Sequence, residues 1–236
     1  MRKNIPNLFT LCNLLLGCIA VVFLFNGYEQ WVPWLVFFAL VADFADGFFA
    51  RLLNAHSPIG GQLDSLADMV TFGFLPGAIL FFLLQRHFGY GTIIWVSLPG
   101  FLLTLLSAVR LANFNIDERQ TMGFIGLPTP SACAFVIGLL ALYNAPQKGY
   151  LAYYFLHPAA IYASTVILSI LLVAELPMFS NKFTHFNWQG NELRYSFGFI
   201  SLAAVIVLGF AATLAIIPIY IILSMYMHWQ NTIKKT

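Results

Sequence analysis

Residues 42–68 read ADFADGFFARLLNAHSPIGGQLDSLAD, and the placement of the acids in this stretch decides the fold. Asp43 and Asp46 are three apart and Asp64 and Asp68 are four apart, so each pair lies on one face of a helix. Asp43, Asp46, Gly47, Ala50 and Arg51 share one side, and Phe44, Phe48 and Phe49 take the other. Around them the chain is 60% hydrophobic and 8% charged, with a mean hydropathy of +0.83 over 236 residues. That is too little charge to solvate a soluble domain of this size, so an all-α, polytopic membrane bundle is expected. An ionised carboxylate facing lipid costs at least a few kcal/mol. Four of them gathered at membrane depth require a partner that offsets their burial, and a divalent cation is the obvious one.

Working outward, apolar segments run at about residues 8–26, 31–53, 66–85, 92–113, 130–146 and 150–174, each a plausible single crossing. A further stretch, 196–229, would reach about 50 Å as one helix and is expected to turn back near Ile217 and Pro218, giving eight spans. With the N-terminus in the cytoplasm, Arg2, Lys3, Arg51, Arg110, Arg119, Lys182, Arg194, Lys234 and Lys235 fall on the inner side, leaving Arg86 and Lys148 outside. An odd number of spans would strand Lys234 and Lys235 on the outer face. The apolar run continues past the small triplet Cys18-Ile19-Ala20, so the first helix is expected to be retained. No internal repeat or second domain is evident, and residues 1–236 read as one integral membrane domain. A net charge of +2 with scattered basic residues excludes a nucleic-acid surface.

Gly47 and Ala50 remove side-chain bulk beside the carboxylates, which lets a large ligand such as a diphosphate approach the helix backbone. Two helices that each offer a carboxylate pair can hold two hard cations roughly 3.5–4 Å apart. The absence of thiolates and imidazoles from the cluster favours Mg²⁺ or Mn²⁺ over zinc. Intramembrane carboxylates also occur in cation or proton pathways, so a transporter is a rival reading; it leaves Gly47, Ala50, Arg51 and Gly60 unexplained. Cys12, Cys18 and Cys133 form no CxxC pair and read as apolar packing, and the five histidines show no pairing.

The pattern Asp43-x2-Asp46-Gly47-x2-Ala50-Arg51-x8-Gly60-x3-Asp64-x3-Asp68 resembles, with every defining position filled, the signature of the CDP-alcohol phosphotransferase family. Further likeness to its membrane-embedded phosphatidylserine synthase branch runs through Ile5 to Thr10, Leu63 to Gly73, Ser107 to Asn115 and Gly126 to Pro130, and more loosely through Phe179 to Phe183. The chain departs from that branch at Asn113, where Arg is frequent, and at Thr71, where Ser is frequent. The resemblance implies a six-helix core, here with about two further C-terminal helices, and transfer of a phosphatidyl group from CDP-diacylglycerol to an alcohol with release of CMP.

For the site, the resemblance implies two Mg²⁺ or Mn²⁺ ions on Asp43, Asp46, Asp64 and Asp68, with Asp68 also the general base. CDP-diacylglycerol would lie against Gly47, Ala50, Arg51 and Gly60, with Asn7, Thr10 and Ser65 nearby. Serine is the expected acceptor, its carboxylate held by Arg110, with Lys182 second, and with Thr129 and Ser131 lining the pocket. Glycerol phosphate or inositol phosphate acceptors, giving phosphatidylglycerophosphate or phosphatidylinositol-phosphate type products, remain the alternative within the family. A homodimer in a prokaryotic plasma membrane, with its active site facing the cytoplasm, is expected.

Overall fold

A computed structural model describes residues 5–55, 57–89, 94–117, 124–146, 149–178 and 192–233. Helix α1 (Ile5–Phe25) starts with Pro6 in its first turn and ends where Gly27 takes a left-handed φ of 82°, with the Tyr28 amide donating back to the Phe23 carbonyl at 3.0 Å. Helix α2 (Val32–Leu52) closes in the same way, with Asn54 at φ 48° and the Ala55 amide donating to Ala50 at 2.9 Å. Helix α3 (Pro58–Asp68) follows at once, its N-cap Ser57 accepting from the Gly60 amide at 3.1 Å and Pro58 at its first position.

This tight connection sets the depth of the acids. Asp46 lies six residues before the end of α2 and Asp64 six after the start of α3; Asp43 and Asp68 stand nine and ten residues from the same turn. The chain reversal therefore brings the four carboxylates to two matching levels, roughly 9 and 14 Å into the helices at 1.5 Å per residue.

Helix α3 runs through a π-helical segment (Met69–Phe74) into α4 (Leu75–Phe88). Pro76 has no amide proton for the Phe72 carbonyl and its ring crowds that carbonyl, so the backbone widens in the turn before it. Neighbouring hydroxyls and a thiol occupy the same turn: Thr104 Oγ1 donates to the Gly73 carbonyl at 3.1 Å, and Cys133 Sγ lies 3.8 Å from the Thr71 carbonyl. Helix α4 is the centre of the bundle, with Leu75, Ile79, Leu80 and Leu84 fully buried. Its all-round apolarity is thus satisfied by its own chain.

A 3₁₀ turn (Leu98–Phe101) leads into α5 (Leu102–Ile116), followed by α6 (Thr129–Tyr143), the short α7 (Tyr150–Phe155) and α8 (Pro158–Val173). A two-residue bridge pairs β1 (Phe124–Ile125) with β2 (Pro177–Met178), tying the α5–α6 connection to the end of α8. The C-terminal stretch forms α9 (Glu192–Leu208), a 3₁₀ turn (Gly209–Ala212) and α10 (Thr213–Ile233).

The break falls at Gly209, with φ 70°, rather than at Ile217 and Pro218; Pro218 lies inside α10. Glycine supplies a left-handed residue that no proline can, which is why the turn is there. The chain does turn back: the Phe197 and Tyr220 rings sit 6.1 Å apart, whereas 23 residues of continuous helix would separate them by roughly 35 Å. Among the described residues, five helical stretches are long and apolar enough to cross a membrane, counting Tyr195–Gln230 as one, and Thr129–Tyr143 and Pro158–Val173 are shorter apolar helices. The protein is a multi-pass helical bundle. Cys133 is buried in it, while Cys12 and Cys18 lie on the outward side of α1.

The packing of the 3₁₀ turn on α4 leaves no room for a side chain at Gly100, where a Cβ would stand 2.7 Å from the Phe81 backbone nitrogen. Gly100→Ala is expected to cost about 1–3 kcal/mol by overpacking. The measurement is the temperature at which detergent-solubilised protein stops eluting as a single species, which should fall relative to wild type.

Candidate active site at the aspartate cluster

Carboxylate oxygens of Asp43, Asp64 and Asp68 all lie within 4.8 Å of one another, making one three-carboxylate group from two helices. Asp43 and Asp68 are at hydrogen-bonding distance, and charge interactions connect Asp46 to Asp43, Asp64 and Asp68. Asp46 itself is only 7% exposed and stands beside the three, its Oδ2 accepting a 2.7 Å hydrogen bond from Thr10 Oγ1.

Helix α1 is the element that orients the acids. Asn13, fully buried, donates from Nδ2 to Asp68 Oδ1 at 3.2 Å, and its backbone carbonyl accepts from Thr71 Oγ1 at 3.1 Å. Gly17, one turn on, lies so close to Thr71 that a Cβ there would collide with Oγ1. Thr10, Asn13 and Gly17 thus form an inward stripe that fixes Asp46, Asp68 and the π turn behind Asp68.

The donor set suits a hard cation. Every contributing side chain offers oxygen, and Asp64 Oδ1 and Asn13 Oδ1 are buried without a hydrogen-bond donor among the described residues. Buried acceptors of this kind are normally satisfied, and a cation beside Asp43, Asp64 and Asp68 would satisfy them.

A cavity of about 580 Å³ opens on one side of the cluster. It is lined by Asp43, Asp64, Ser65 and Asp68, by Arg110 of α5, by Thr129 and Ser131 at the start of α6, and by Phe197 and Tyr220 of the C-terminal hairpin. Arg110 is 6% exposed, its guanidinium lies 6.0 Å from the centre of the Phe114 ring, and its charge interacts with Asp68 and Tyr220. A buried cation held near the acids is unlike a side chain that has reached out to the interface. Ser65 and Asn115 hydrogen-bond to each other at the mouth, at 2.9–3.1 Å.

The other expected residues that the structure describes lie outside this cavity. Gly47 has no atom within 4 Å of the place a Cβ would take, so its face of α2 is open, with Ala50 half-buried and Arg51 exposed beyond it. Gly60 differs: a Cβ there would stand 3.1 Å from Asn7 Oδ1 and 3.0 Å from Ser57 Oγ, so its missing side chain admits α1 rather than a ligand. Lys182 lies outside the described residues.

Sequence reading missed Asn13 and the contribution of Phe197 and Tyr220. The signal for Asn13 was an amide in an otherwise apolar run, three residues beyond Thr10 on the same face. Nothing local marked Phe197 or Tyr220, because only the reversal at Gly209 brings them to the acids.

The sequence model described as CDP-alcohol phosphatidyltransferase matches residues 3–233. The chain belongs to that family. It is 33% identical over 176 residues to a CDP-diacylglycerol--serine O-phosphatidyltransferase of Helicobacter pylori strain 26695, covering 72% of this chain and 70% of that one. A Bacillus subtilis protein of the same name is 31% identical over 194 residues, covering 80% and 94%. A Mycobacterium bovis protein of the same name is 30% identical over 182 residues, covering 74% and 60%. The chain is therefore a transferase of substituted phosphate groups.

If α1 orients the acids, Asn13→Ala should lower the rate of CMP release by about 10–100-fold, the usual cost of losing a partner that holds a ligand-bearing carboxylate. Turnover of CDP-diacylglycerol by purified Asn13→Ala protein checks this. Thr10→Val, which removes the donor to Asp46, should act in the same direction.

Proposed function

We propose that the protein transfers a phosphatidyl group from CDP-diacylglycerol to the hydroxyl of L-serine, forming phosphatidylserine and CMP, at the cytoplasmic face of a prokaryotic plasma membrane. The observation that carries this reading is one cavity bounded by Asp68 on one wall and by Arg110, Thr129 and Ser131 on the others. The names of the relatives support the donor and the acceptor.

Asp43, Asp46, Asp64 and Asp68 would hold two Mg²⁺ or Mn²⁺ ions, which would supply positive charge to offset the diphosphate and the charge growing on the departing CMP oxygen. The donor lies with its acyl chains in lipid and its diphosphate on the open face of α2, against Gly47, Ala50 and Arg51. Helix α1, with Asn7 and Thr10, borders the nucleotide. Serine occupies the cavity on the far side of the acids, its carboxylate on the fork of Arg110 and its polar groups near Thr129, Ser131 and Ser65.

Asp68 takes the proton as the serine oxygen bonds to the phosphorus that bears the diacylglycerol oxygen. The bond from that phosphorus to the CMP oxygen breaks, and CMP leaves with the electron pair. A carboxylate is a weak base for an alcohol, but it need accept the proton only as the new bond forms. The Asn13 amide keeps the Asp68 carboxylate aimed during this step. Arg110, the one buried guanidinium among the described residues, suits an acceptor with one negative group better than a phosphorylated one. A homodimer is the proposed assembly.

Purified protein given CDP-diacylglycerol, serine and Mg²⁺ or Mn²⁺ should release CMP and form phosphatidylserine. Chelation with EDTA should stop the reaction, and added Mg²⁺ or Mn²⁺ should restore it. Asp68→Asn should lower the rate by about 10²–10⁴-fold, the range for a lost general base. Phosphatidylserine is identified by mass; product from glycerol 3-phosphate or inositol phosphate but none from serine would replace the acceptor while leaving the transferase chemistry in place.

A further inference from the structure

Asn13 is an unusual side chain for the middle of an apolar helix. It is fully buried, and an amide in such a place is costly unless both of its ends are met. The nitrogen end is met, since Nδ2 donates to Asp68 Oδ1 at 3.2 Å. The carbonyl end, Oδ1, is buried with no hydrogen-bond donor among the described residues.

The chemistry of Asp68 sets the orientation of the amide. Exchanging its nitrogen and oxygen would bring two acceptors face to face, so the nitrogen lies toward the carboxylate. The hydroxyls that flank Asn13 are committed elsewhere. Thr71 Oγ1 donates to the Asn13 backbone carbonyl at 3.1 Å, and Thr10 Oγ1 donates at 3.2 Å to the Pro6 carbonyl and at 2.7 Å to Asp46 Oδ2.

In a planar amide that donates to Asp68 Oδ1, the carbonyl oxygen stands roughly 4–5 Å from that same carboxylate oxygen. This is the span of the carboxylate group itself, whose Asp43, Asp64 and Asp68 oxygens lie within 4.8 Å of one another. Asp64 Oδ1, in the same group, is also buried with no donor among the described residues. Two acceptors from different helices thus lack a donor beside one set of acids. A cation answers both, because it draws in oxygens from several directions at once.

We propose that Asn13 Oδ1 is a direct ligand of a divalent cation held by the acids, a neutral oxygen supplied by α1 to a site otherwise built from α2 and α3. This rests on the reading of the acids as a divalent-cation site. One side chain then has two roles: its nitrogen aims Asp68 and its oxygen meets the ion. A neutral ligand suits the position, since four carboxylates already balance two divalent ions and a fifth would add uncompensated charge at membrane depth.

The test is Mn²⁺ titration of chelator-stripped, full-length protein, followed by electron paramagnetic resonance of the free ion, so that binding is read rather than turnover. Asn13→Leu, which removes both polar ends while keeping bulk, should weaken Mn²⁺ binding about tenfold or more. Asn13→Asp separates the two roles, because an ionised carboxylate cannot donate to Asp68 but does offer oxygen to the ion. It should bind Mn²⁺ about tenfold or more tightly than Asn13→Leu. Asn13→Cys places a thiolate at the same point, and with Cd²⁺ it should give a thiolate-to-metal ultraviolet absorption beyond that of wild type, which has the same three other cysteines. The Cys variant carries the test if the Leu variant does not elute as a single species. Wild-type affinity in Asn13→Leu, no tighter binding in Asn13→Asp than in Asn13→Leu, or no added absorption in Asn13→Cys overturns direct ligation while leaving the acids as the cation site. Wild-type protein that takes up no Mn²⁺ removes the cation site itself, and this proposal with it.

Discussion

Mutual repulsion among four carboxylates at membrane depth is the constraint around which this structure is arranged. Each acid alone could be a cap or an interfacial charge, but two pairs brought to matching levels by one chain reversal cannot relax away from each other. The reversal depends on small features: a left-handed Asn54 that ends α2, a serine cap and a proline that start α3, and a few residues between them. Lengthening it would separate the levels, because depth along each helix is counted from the turn. The same geometry that makes the acids costly without a counter-charge makes them a strong oxygen-rich cage with one.

What surrounds the cage divides into two sides. On one, α2 presents an open glycine face, with Arg51 exposed beyond it. On the other, α5, α6 and the C-terminal hairpin enclose a cavity with a buried guanidinium. The acids form the partition between them. In the proposed reaction this is the useful order, because a lipid-borne donor and a water-borne acceptor then meet at the phosphorus from opposite sides. No residue of helix α1 lines the enclosed cavity; through Thr10, Asn13 and Gly17 the helix sets the angle of the acids and of the π turn behind Asp68.

The bundle and the gathering of the acids were legible in the sequence because both follow from local rules. Apolar length reports a crossing, and three- and four-residue spacing reports a shared face. The glycines were legible only in part: Gly47 leaves open space as its position suggested, whereas Gly60 makes room for Asn7, a contact between helices that no local pattern encodes. The C-terminal turn was expected at Pro218, since proline is the stronger helix breaker by composition. The backbone instead reverses at Gly209, where a left-handed residue is required, and carries Pro218 inside α10. Asn13, Phe197 and Tyr220 were missed for a related reason: their role exists only after distant helices pack.

The claim on which all else rests is that the acids are a divalent-cation site. Titration of the purified, chelator-stripped protein with Mn²⁺, followed by electron paramagnetic resonance of the free ion, tests it without reference to turnover. Wild-type protein should take up two Mn²⁺ per chain, and Asp64→Asn or Asp68→Asn protein that still elutes as a single species should lose that uptake. Undiminished Mn²⁺ uptake in both variants, or none in the wild type, would contradict the account.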